Sequence, residues 1–128
     1  MVIGVGVDVV DVDRFARSLE RTPQLGERLF GESDQQGIPE GPARTQSLAA
    51  RFAAKEATLK ALGGNIAGFH WHDIQVAKSD DGVPSLLVSG GAAQRAREKG
   101  VNSWHLSLSH DGPVAVAFVI AQSVGDAS

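Results

Sequence analysis

Hydrophobic and polar residues alternate over the first ten positions of the chain. One side of this segment is made of branched apolar residues, which are Ile3, Val5, Val7 and Val9. The other side holds Gly4, Gly6 and Asp8. Period-two alternation predicts a β-strand over Met1 to Val10, and its glycines leave the second face bare. Glycine inside a strand often marks a place where another group approaches the backbone.

Asp8 stands at the end of this bare face and allows two interpretations. It could cap the helix that follows the strand, but Asp11 and Asp13 are better positioned for that role. We therefore favour Asp8 as a ligand.

The helical period is clearest between Leu48 and the glycine pair Gly63-Gly64. Alanine, leucine, lysine and glutamate dominate this segment and favour helix, and glycine can close it in the left-handed conformation. One apolar stripe comprises Leu48, Phe52, Leu59 and Leu62, and the opposite side comprises Ala50, Ala54, Ala57 and Ala61. A helix that is apolar or small on both sides is predicted to be buried.

The rest of the pattern predicts further helices and strands. In chain order these are one or two helices over 13–30 with a break at Thr22-Pro23, a loop over 31–46, a hairpin of strands 74–78 and 83–88, a short helix over 92–99, a second hairpin of strands 104–109 and 114–121, and a frayed tail over 122–128. The last strand is apolar on both faces and should lie at the centre of its sheet. Two hairpins, a lone strand and a buried helix predict an α+β fold, with a single domain over residues 1–128.

Charge and composition exclude several classes of function. The net charge of −3 argues against a general nucleic-acid binder. No apolar run approaches the ~20 residues that a membrane span requires, and the N-terminus lacks the basic leader of a signal peptide. The absence of cysteine excludes disulfides, thiolate metal sites and cysteine catalysis. We expect a cytoplasmic protein without a membrane or nucleic-acid partner.

The buried helix nevertheless carries Lys55, Glu56 and Lys60. Glu56 and Lys60 could form a surface pair at i,i+4, worth a few tenths of a kcal/mol. Alternatively, they project toward a metal and a phosphate. Two carboxylates, Asp8 and Glu56, favour a hard cation such as Mg²⁺, which takes one or two protein carboxylates and completes its shell with water or substrate phosphate. Lys60, one turn from Glu56, would then offer a positive charge to that phosphate.

Two histidine groupings indicate other chemistry less strongly. His70 and His72 would share one face of a strand, a spacing that can ligate zinc, but no third ligand supports it. His110 and Asp111 follow Ser109 and suggest a Ser-His-Asp hydrolase. The adjacent residues point in different directions, however, and the sequence has no nucleophile elbow.

A basic face recurs on the helices predicted over 13–30. Its members are Arg14, Arg17, Arg21 and Arg28. Such a face is either simply solvated or, on an acidic protein with leucines alongside, a docking surface for an acidic partner.

Three motifs together resemble those of the holo-[acyl-carrier-protein] synthase family, the short 4′-phosphopantetheinyl transferases. They are Arg51-Phe52-Ala53-Ala54-Lys55-Glu56-Ala57, Gly4-Val5-Gly6-Val7-Asp8-Val9-Val10 and Leu106-Ser107-Leu108-Ser109-His110. They occur in the order of the family and span nearly the whole chain. The resemblance implies the 4′-phosphopantetheinyl transferase fold, an α+β domain that usually assembles as a homotrimer, with active sites at subunit interfaces.

The resemblance also implies a reaction of fatty-acid and lipid biosynthesis. The 4′-phosphopantetheine of coenzyme A is transferred to a serine of apo-acyl carrier protein, and adenosine 3′,5′-bisphosphate is released. By the same resemblance Asp8 and Glu56 bind Mg²⁺, and Lys60 stabilises charge on the attacked phosphate. Coenzyme A is bound by Arg51, Lys60, Pro84 and His110. The resemblance also implies that the acidic partner expected at the basic face of Arg14, Arg17, Arg21 and Arg28 is the acyl carrier protein.

The general base and the exact reaction class stay open at this point. A metal-bound water, Glu56 and Asp111 are alternatives for the base, and Asp111 departs from the small or hydroxyl residue expected after the histidine. A Mg²⁺-dependent phosphohydrolase would use the same carboxylates and lysine, with water as the nucleophile. A non-catalytic module that docks an acidic protein would need only the arginine face.

Overall fold

The computed structural model describes residues 1–125. In that part of the chain the elements are β1 (Val2–Asp11), α1 (Val12–Arg21), α2 (Leu25–Leu29), α3 (Glu32–Gln35), α4 (Pro42–Ala61), a 3₁₀ turn (Trp71–Asp73), β2 (Ile74–Lys78), β3 (Pro84–Val88), α5 (Gly90–Lys99), β4 (Ser103–Asp111) and β5 (Val114–Gln122). The predicted α+β fold is confirmed. None of the helices within residues 1–125 combines the length and the apolar content needed to cross a bilayer.

The strands form one three-stranded antiparallel sheet and one separate hairpin. The sheet has the order β1-β5-β4, so β5 is central as its two apolar faces predict. Asp8 of β1 pairs with Ala117 of β5, which pairs on its other side with Leu108 of β4. Strands β2 and β3 form the second, two-stranded sheet.

Helix α4 lies directly on the glycine face of β1. A Cβ added to Gly4 would lie 1.9 Å from the carbonyl oxygen of Ala61, and one added to Gly6 would lie 1.8 Å from that of Ala57. The group that approaches the bare face of the strand is therefore the backbone of the helix itself. This close packing brings Asp8, which is 9% exposed, alongside α4.

The opposite face of the sheet is apolar and open in the single chain. Val5, Val7 and Val9 of β1 are 51%, 48% and 60% exposed, and Phe118 of β5 is 41% exposed. Phe118 is the partner of Val7 in the sheet register, so these side chains form one patch.

Helix α4 is longer than the sequence pattern predicted. It begins at Pro42 rather than near Leu48, and proline at the first helical position needs no backbone N–H donor. The predicted loop over 31–46 is therefore wrong for Glu32–Gln35, which forms α3, and for the first residues of α4.

Hydrogen bonds hold the chain at both ends of β1. Asp11 caps α1 by accepting a 2.8 Å bond from the Arg14 N–H, which confirms one of the two predicted caps. The predicted frayed tail over 122–128 is wrong for its first residues, because Gln122 ends β5 and the Ser123 N–H donates to Met1. Residues 126–128 of that predicted tail lie outside the described part of the chain.

Lys55 forms a completely buried ion pair. Its Nζ lies 2.7 Å from Asp34 Oδ2 and also donates to the carbonyls of Trp71 and Ile74. Asp34 in turn accepts the N–H of Val76. Burial lowers the pKa of Lys55, and Asp34 opposes that shift. The pair joins α3, the 3₁₀ turn and β2 to the side of α4 that faces away from Asp8.

Candidate active site

Asp8, Glu56 and Lys60 meet where β1 crosses α4. Asp8 lies on the buried face of β1, and Glu56 and Lys60 lie one turn apart near the end of α4. Lys60 Nζ lies 3.1 Å from Asp8 Oδ1 and 3.0 Å from the carbonyl oxygen of Val7. Lys60 therefore pairs with Asp8 on the strand, and the surface Glu56–Lys60 ion pair considered from sequence is not among the ion pairs of residues 1–125.

Glu56 is half-buried in a negative environment. Its burial raises the pKa of Glu56 above the ordinary value, and the nearby negative charge of Asp8 raises it further. The positive charge of Lys60 acts in the opposite direction. The charges of the two carboxylates therefore act on one another, and a cation bound by both would relieve their repulsion.

The donor set fits a magnesium ion. Residues 1–125 contain no group of three or more histidine, aspartate or glutamate side chains that could enclose a metal. A metal here would have Asp8 and Glu56 as its protein ligands and would keep open positions for water or phosphate. Mg²⁺ is commonly bound in this way, through one or two carboxylates and the phosphates of its substrate.

A cavity of about 210 Å³ opens beside the two carboxylates. Its lining is Asp8, Val9, Val10, Asp11, Arg14, Phe15, Ser18, Phe52 and Glu56. A second cavity of about 290 Å³ is lined by Phe15, Ser18, Leu25, Arg28, Leu29, Phe52 and Trp71. Because Phe15, Ser18 and Phe52 line both, the two cavities form one groove that is acidic at one end and apolar at the other. We call the second part the apolar groove.

Aromatic rings form the floor of this groove. The rings of Phe15 and Phe52 stack with centroids 5.4 Å apart, and Phe52 contacts Trp71 at 5.5 Å. Such pairs contribute packing beyond their buried area. The sequence pattern assigned Phe52 to an apolar stripe and gave no role to Phe15, Ser18 or Trp71. The available signal was that Phe52 precedes Glu56 by one helical turn.

The four arginines predicted as a basic face are all exposed. Arg14 lines the acidic end of the groove and Arg28 lines the apolar groove. Arg17 and Arg21 lie on α1 between them in sequence. Two of the four arginines, Arg14 and Arg28, therefore border the groove, one in each of its two parts.

His110 and Asp111 lie apart from the cluster within one chain. They end β4 and pair with Ala115 and Val114 of β5, so a whole strand separates them from β1. Neither lines the groove. Ser109 and His110 are adjacent in a strand and point to opposite faces, so the hydrolase arrangement is not formed.

Pro84 and Arg51 are also distant from the carboxylates. Pro84 begins β3 and pairs with Lys78 at the end of the hairpin. Arg51 is 3% exposed and donates a 3.2 Å hydrogen bond to the Ser47 carbonyl. Its Nε is buried without a hydrogen-bond partner among residues 1–125. Burial lowers the pKa of Arg51, and the charge of Asp34 opposes the shift.

The His70 and His72 pair does not form the predicted strand face. Both belong to or flank the 3₁₀ turn, and His72 Nε2 lies 2.7 Å from the carbonyl oxygen of Glu27. The His70 N–H donates to Asp73. Both histidines line one cavity, but no third side chain of residues 1–125 joins them in a group that could hold a metal.

Known proteins similar to this chain have one description in common. A family model described as the 4′-phosphopantetheinyl transferase superfamily matches residues 4–119. The holo-[acyl-carrier-protein] synthase of Salinispora arenicola is 52% identical over 122 residues, covering 95% of this chain and 99% of the relative. That of Streptomyces avermitilis is 55% identical over 122 residues, covering 94% and 98%.

Solved structures of the same description have the same fold. The holo-[acyl-carrier-protein] synthase of Neisseria meningitidis matches with a TM-score of 0.85 and 29% identity, covering 96% of this chain and 100% of that one. The enzyme of Bacillus anthracis, in complex with CoA (3′,5′-ADP), matches with a TM-score of 0.78 and 33% identity, covering 97% and 99%.

Proposed function

This chain belongs to the 4′-phosphopantetheinyl transferase superfamily, and from that premise we propose that Asp8, Glu56 and Lys60 form its catalytic centre. The activity is that of its relatives: the 4′-phosphopantetheine of coenzyme A is transferred to a serine of apo-acyl carrier protein, giving the holo-protein and adenosine 3′,5′-bisphosphate. The observation that supports the assignment of the centre is the meeting of two carboxylates and one ammonium at the mouth of a groove.

Asp8 and Glu56 would hold Mg²⁺. When bound, the ion would neutralise negative charge on the pyrophosphate of coenzyme A. The two carboxylates suit this role because they supply hard oxygen ligands and leave space for phosphate oxygens. The pKa of Glu56 is raised by burial and then by the charge of Asp8, so the two negative charges are close enough to act on one another, which supports the same proposal.

The reaction needs a positive charge, a base and a leaving group. The serine oxygen forms a bond to the phosphorus that carries pantetheine, and the bond from that phosphorus to the bridging oxygen breaks. The electron pair leaves with adenosine 3′,5′-bisphosphate. Lys60 supplies its ammonium to the phosphate oxygens, and such positioned charge accounts for most catalysis of phosphoryl transfer.

Glu56 is the best candidate for the base among residues of this chain. Its carboxylate borders the groove in which the serine hydroxyl of the carrier protein would be bound. Asp111, the other side chain considered for this role, lies beyond β5 in the same chain. The serine hydroxyl proton would therefore pass to a Glu56 carboxylate oxygen.

The basic face and the apolar groove suit the carrier protein. Arg14, Arg21 and Arg28 present positive charge beside an aromatic floor, which matches an acidic helix with an apolar stripe. If a helix of the carrier protein binds in the groove, the residue next to one end of that helix would lie at the carboxylates. The serine to be modified would then lie close to Glu56.

The open face of the sheet supports assembly into a homotrimer. Val5, Val7, Val9 and Phe118 form an exposed apolar patch of the kind that a further copy covers. Assembly also accounts for His110, whose family role in binding coenzyme A cannot be exercised at the cluster of its own chain. A neighbouring copy would bring its His110 to the Asp8–Glu56 groove, so that each active site lies at a subunit interface. Light scattering of the purified protein tests the trimer, and Val7→Glu is expected to give smaller species.

Intact mass spectrometry of an apo-acyl carrier protein tests the reaction. Incubation with enzyme, coenzyme A and Mg²⁺ should add the mass of one phosphopantetheine to the carrier. Asp8→Asn and Glu56→Gln should nearly abolish this gain with the fold intact, whereas Lys78→Met, a change at the end of the β2–β3 hairpin, should not. Release of adenosine 3′,5′-bisphosphate without carrier protein would instead support the phosphohydrolase alternative.

A further inference from the structure

Lys60 forms an ion pair with Asp8, the carboxylate that would also bind the metal ion. Its side chain extends from the last turn of α4 to β1, where Nζ lies 3.1 Å from Asp8 Oδ1 and 3.0 Å from the Val7 carbonyl oxygen. The ammonium therefore has two acceptors on the strand. In this arrangement Asp8 already has a cationic partner.

The pair is open to water on the side of the lysine. The Lys60 side chain is 55% exposed, whereas that of Asp8 is 11% exposed. Lys60 can leave Asp8 by rotating its flexible stem into solvent, without opening the packing of the core. Lys55 provides the contrast within the same helix, because it and Asp34 are both 0% exposed and cannot separate without unfolding their surroundings.

A dication and an ammonium cannot share Asp8 without cost. Both would lie within a few ångströms of one carboxylate, and their like charges repel each other. The two cations also compete for the same oxygen atoms. The lysine is the one that can move, since the carboxylates are fixed by a buried strand face and a helix.

We propose that the divalent cation and Lys60 compete for Asp8, so that loading of the metal releases the Lys60 ammonium to receive the phosphate of coenzyme A. The inference rests on the proposed metal site and adds an order of events within it. Binding free energies are reciprocal. A phosphate that draws Lys60 away from Asp8 therefore tightens the binding of the metal.

Amine labelling tests the release directly and does not depend on turnover. The protein is treated briefly with an amine-reactive reagent, with and without Mn²⁺, and the labelled lysines are quantified by peptide mass spectrometry. Mn²⁺ alone should increase labelling of Lys60, and addition of coenzyme A should decrease it again. Lys78 is exposed and lies on the separate β2–β3 hairpin, so it serves as the internal control whose labelling should not change on adding Mn²⁺ alone.

Mn²⁺ binding measured by electron paramagnetic resonance tests the competition. Without coenzyme A, Lys60→Met should bind Mn²⁺ about fivefold to tenfold more tightly than the unmodified chain, a size typical of coupling between sites. Lys78→Met should bind it unchanged. With coenzyme A present, the gain should disappear, because the variant has no ammonium to offer the phosphate.

The outcomes separate this inference from the metal site on which it rests. If Asp8→Asn and Glu56→Gln bind Mn²⁺ as tightly as the unmodified chain, the site itself is wrong and the inference falls with it. If those variants lose Mn²⁺ but Lys60 labelling is the same with and without the metal, the site stands and the exchange is overturned.

Discussion

Replacement of Gly6 by alanine tests how closely the site depends on the contact between β1 and α4. A Cβ at Gly6 would lie 1.8 Å from the carbonyl oxygen of Ala57 and 2.7 Å from its carbonyl carbon. Both are backbone atoms of α4, so no side-chain rotation can relieve the clash. The helix must retreat by about 1.2 Å before the nearest separation reaches even 3.0 Å, the lower limit of real contacts.

The displacement should affect stability and activity together. Overpacking of a core typically costs ~1–3 kcal/mol, and a rigid backbone contact lies at the upper end. For a chain of this size ~3 kcal/mol corresponds to a fall in Tm of roughly 10 °C. Because Glu56 adjoins Ala57, the same retreat moves Glu56 away from Asp8. A misplacement of about 1 Å in a catalytic arrangement can cost a factor on the order of 10² in rate.

Gly26→Ala is the matched control. Apart from its chain neighbours and the backbone of α2 itself, no atom of residues 1–125 lies within 4 Å of a Cβ at Gly26. Alanine there should raise stability by about 0.5–1 kcal/mol, as it does in a helix. Thermal unfolding and the transfer of phosphopantetheine at low temperature, where both variants are folded, measure the two effects. If Gly6→Ala retains both the Tm and the rate of the unmodified chain, the close approach of strand and helix is not what aligns the carboxylates.

Three further changes test separate parts of the structure. In the metal-free protein, the raised pKa of Glu56 contributes stability below its unfolded pKa near 4.5, and this contribution is lost as the pH rises through the folded pKa. In chelator, Glu56→Gln should therefore unfold at a higher temperature than the unmodified chain at pH 7, and this difference in Tm should shrink toward pH 4. A difference in Tm that does not depend on pH would contradict the raised pKa. Lys55→Met leaves Asp34 as a buried charge without its partner, so the unfolding free energy measured in urea should fall by about 3–5 kcal/mol and recover in part when Asp34→Asn is added. A loss below about 1 kcal/mol would show that the ion pair contributes little to stability. Reversal of Arg21 and Arg28 to glutamate should raise the KM for carrier protein and flatten its salt dependence without changing the KM for coenzyme A, and identical salt slopes would show that the carrier binds elsewhere.

The sequence predicted the two surfaces that form the contact between β1 and α4. Alternation showed that Gly4, Gly6 and Asp8 share one face, and glycine indicated that something approaches that face. The small residues of α4 indicated a helix that packs closely. What the pattern could not show is that these two surfaces meet, because strand and helix are joined through α1, α2 and α3. Asp8 was paired with Glu56 because both are carboxylates and because of the resemblance to a known family, and no pattern showed that their elements are in contact.

Partners that are distant in sequence account for the residues that were missed. Asp34 lies 21 residues from Lys55, in a segment predicted as a loop, and nothing local marks it as the counter-ion. Lys60 lies 52 residues from Asp8, so its nearest carboxylate in sequence, Glu56, was the only pairing that spacing could suggest. The position of Lys55 within an apolar stripe was the one visible sign of a buried charge. The roles expected for His110, Asp111, Pro84 and Arg51 stay predictions, because a single chain does not bring them to the carboxylates.

The two lysines of α4 explain how one helix serves both the core and the site. Lys60 lies five positions after Lys55, so their side chains are about 140° apart around the helix axis. Lys55 faces α3 and β2, where its pair with Asp34 is sealed from water and fixes the helix in position. Lys60 faces β1, where its pair with Asp8 stays half open and can be exchanged. A fixed charge on one side therefore holds the backbone of α4 still, so that an exchangeable charge on the other side can move without disturbing Glu56.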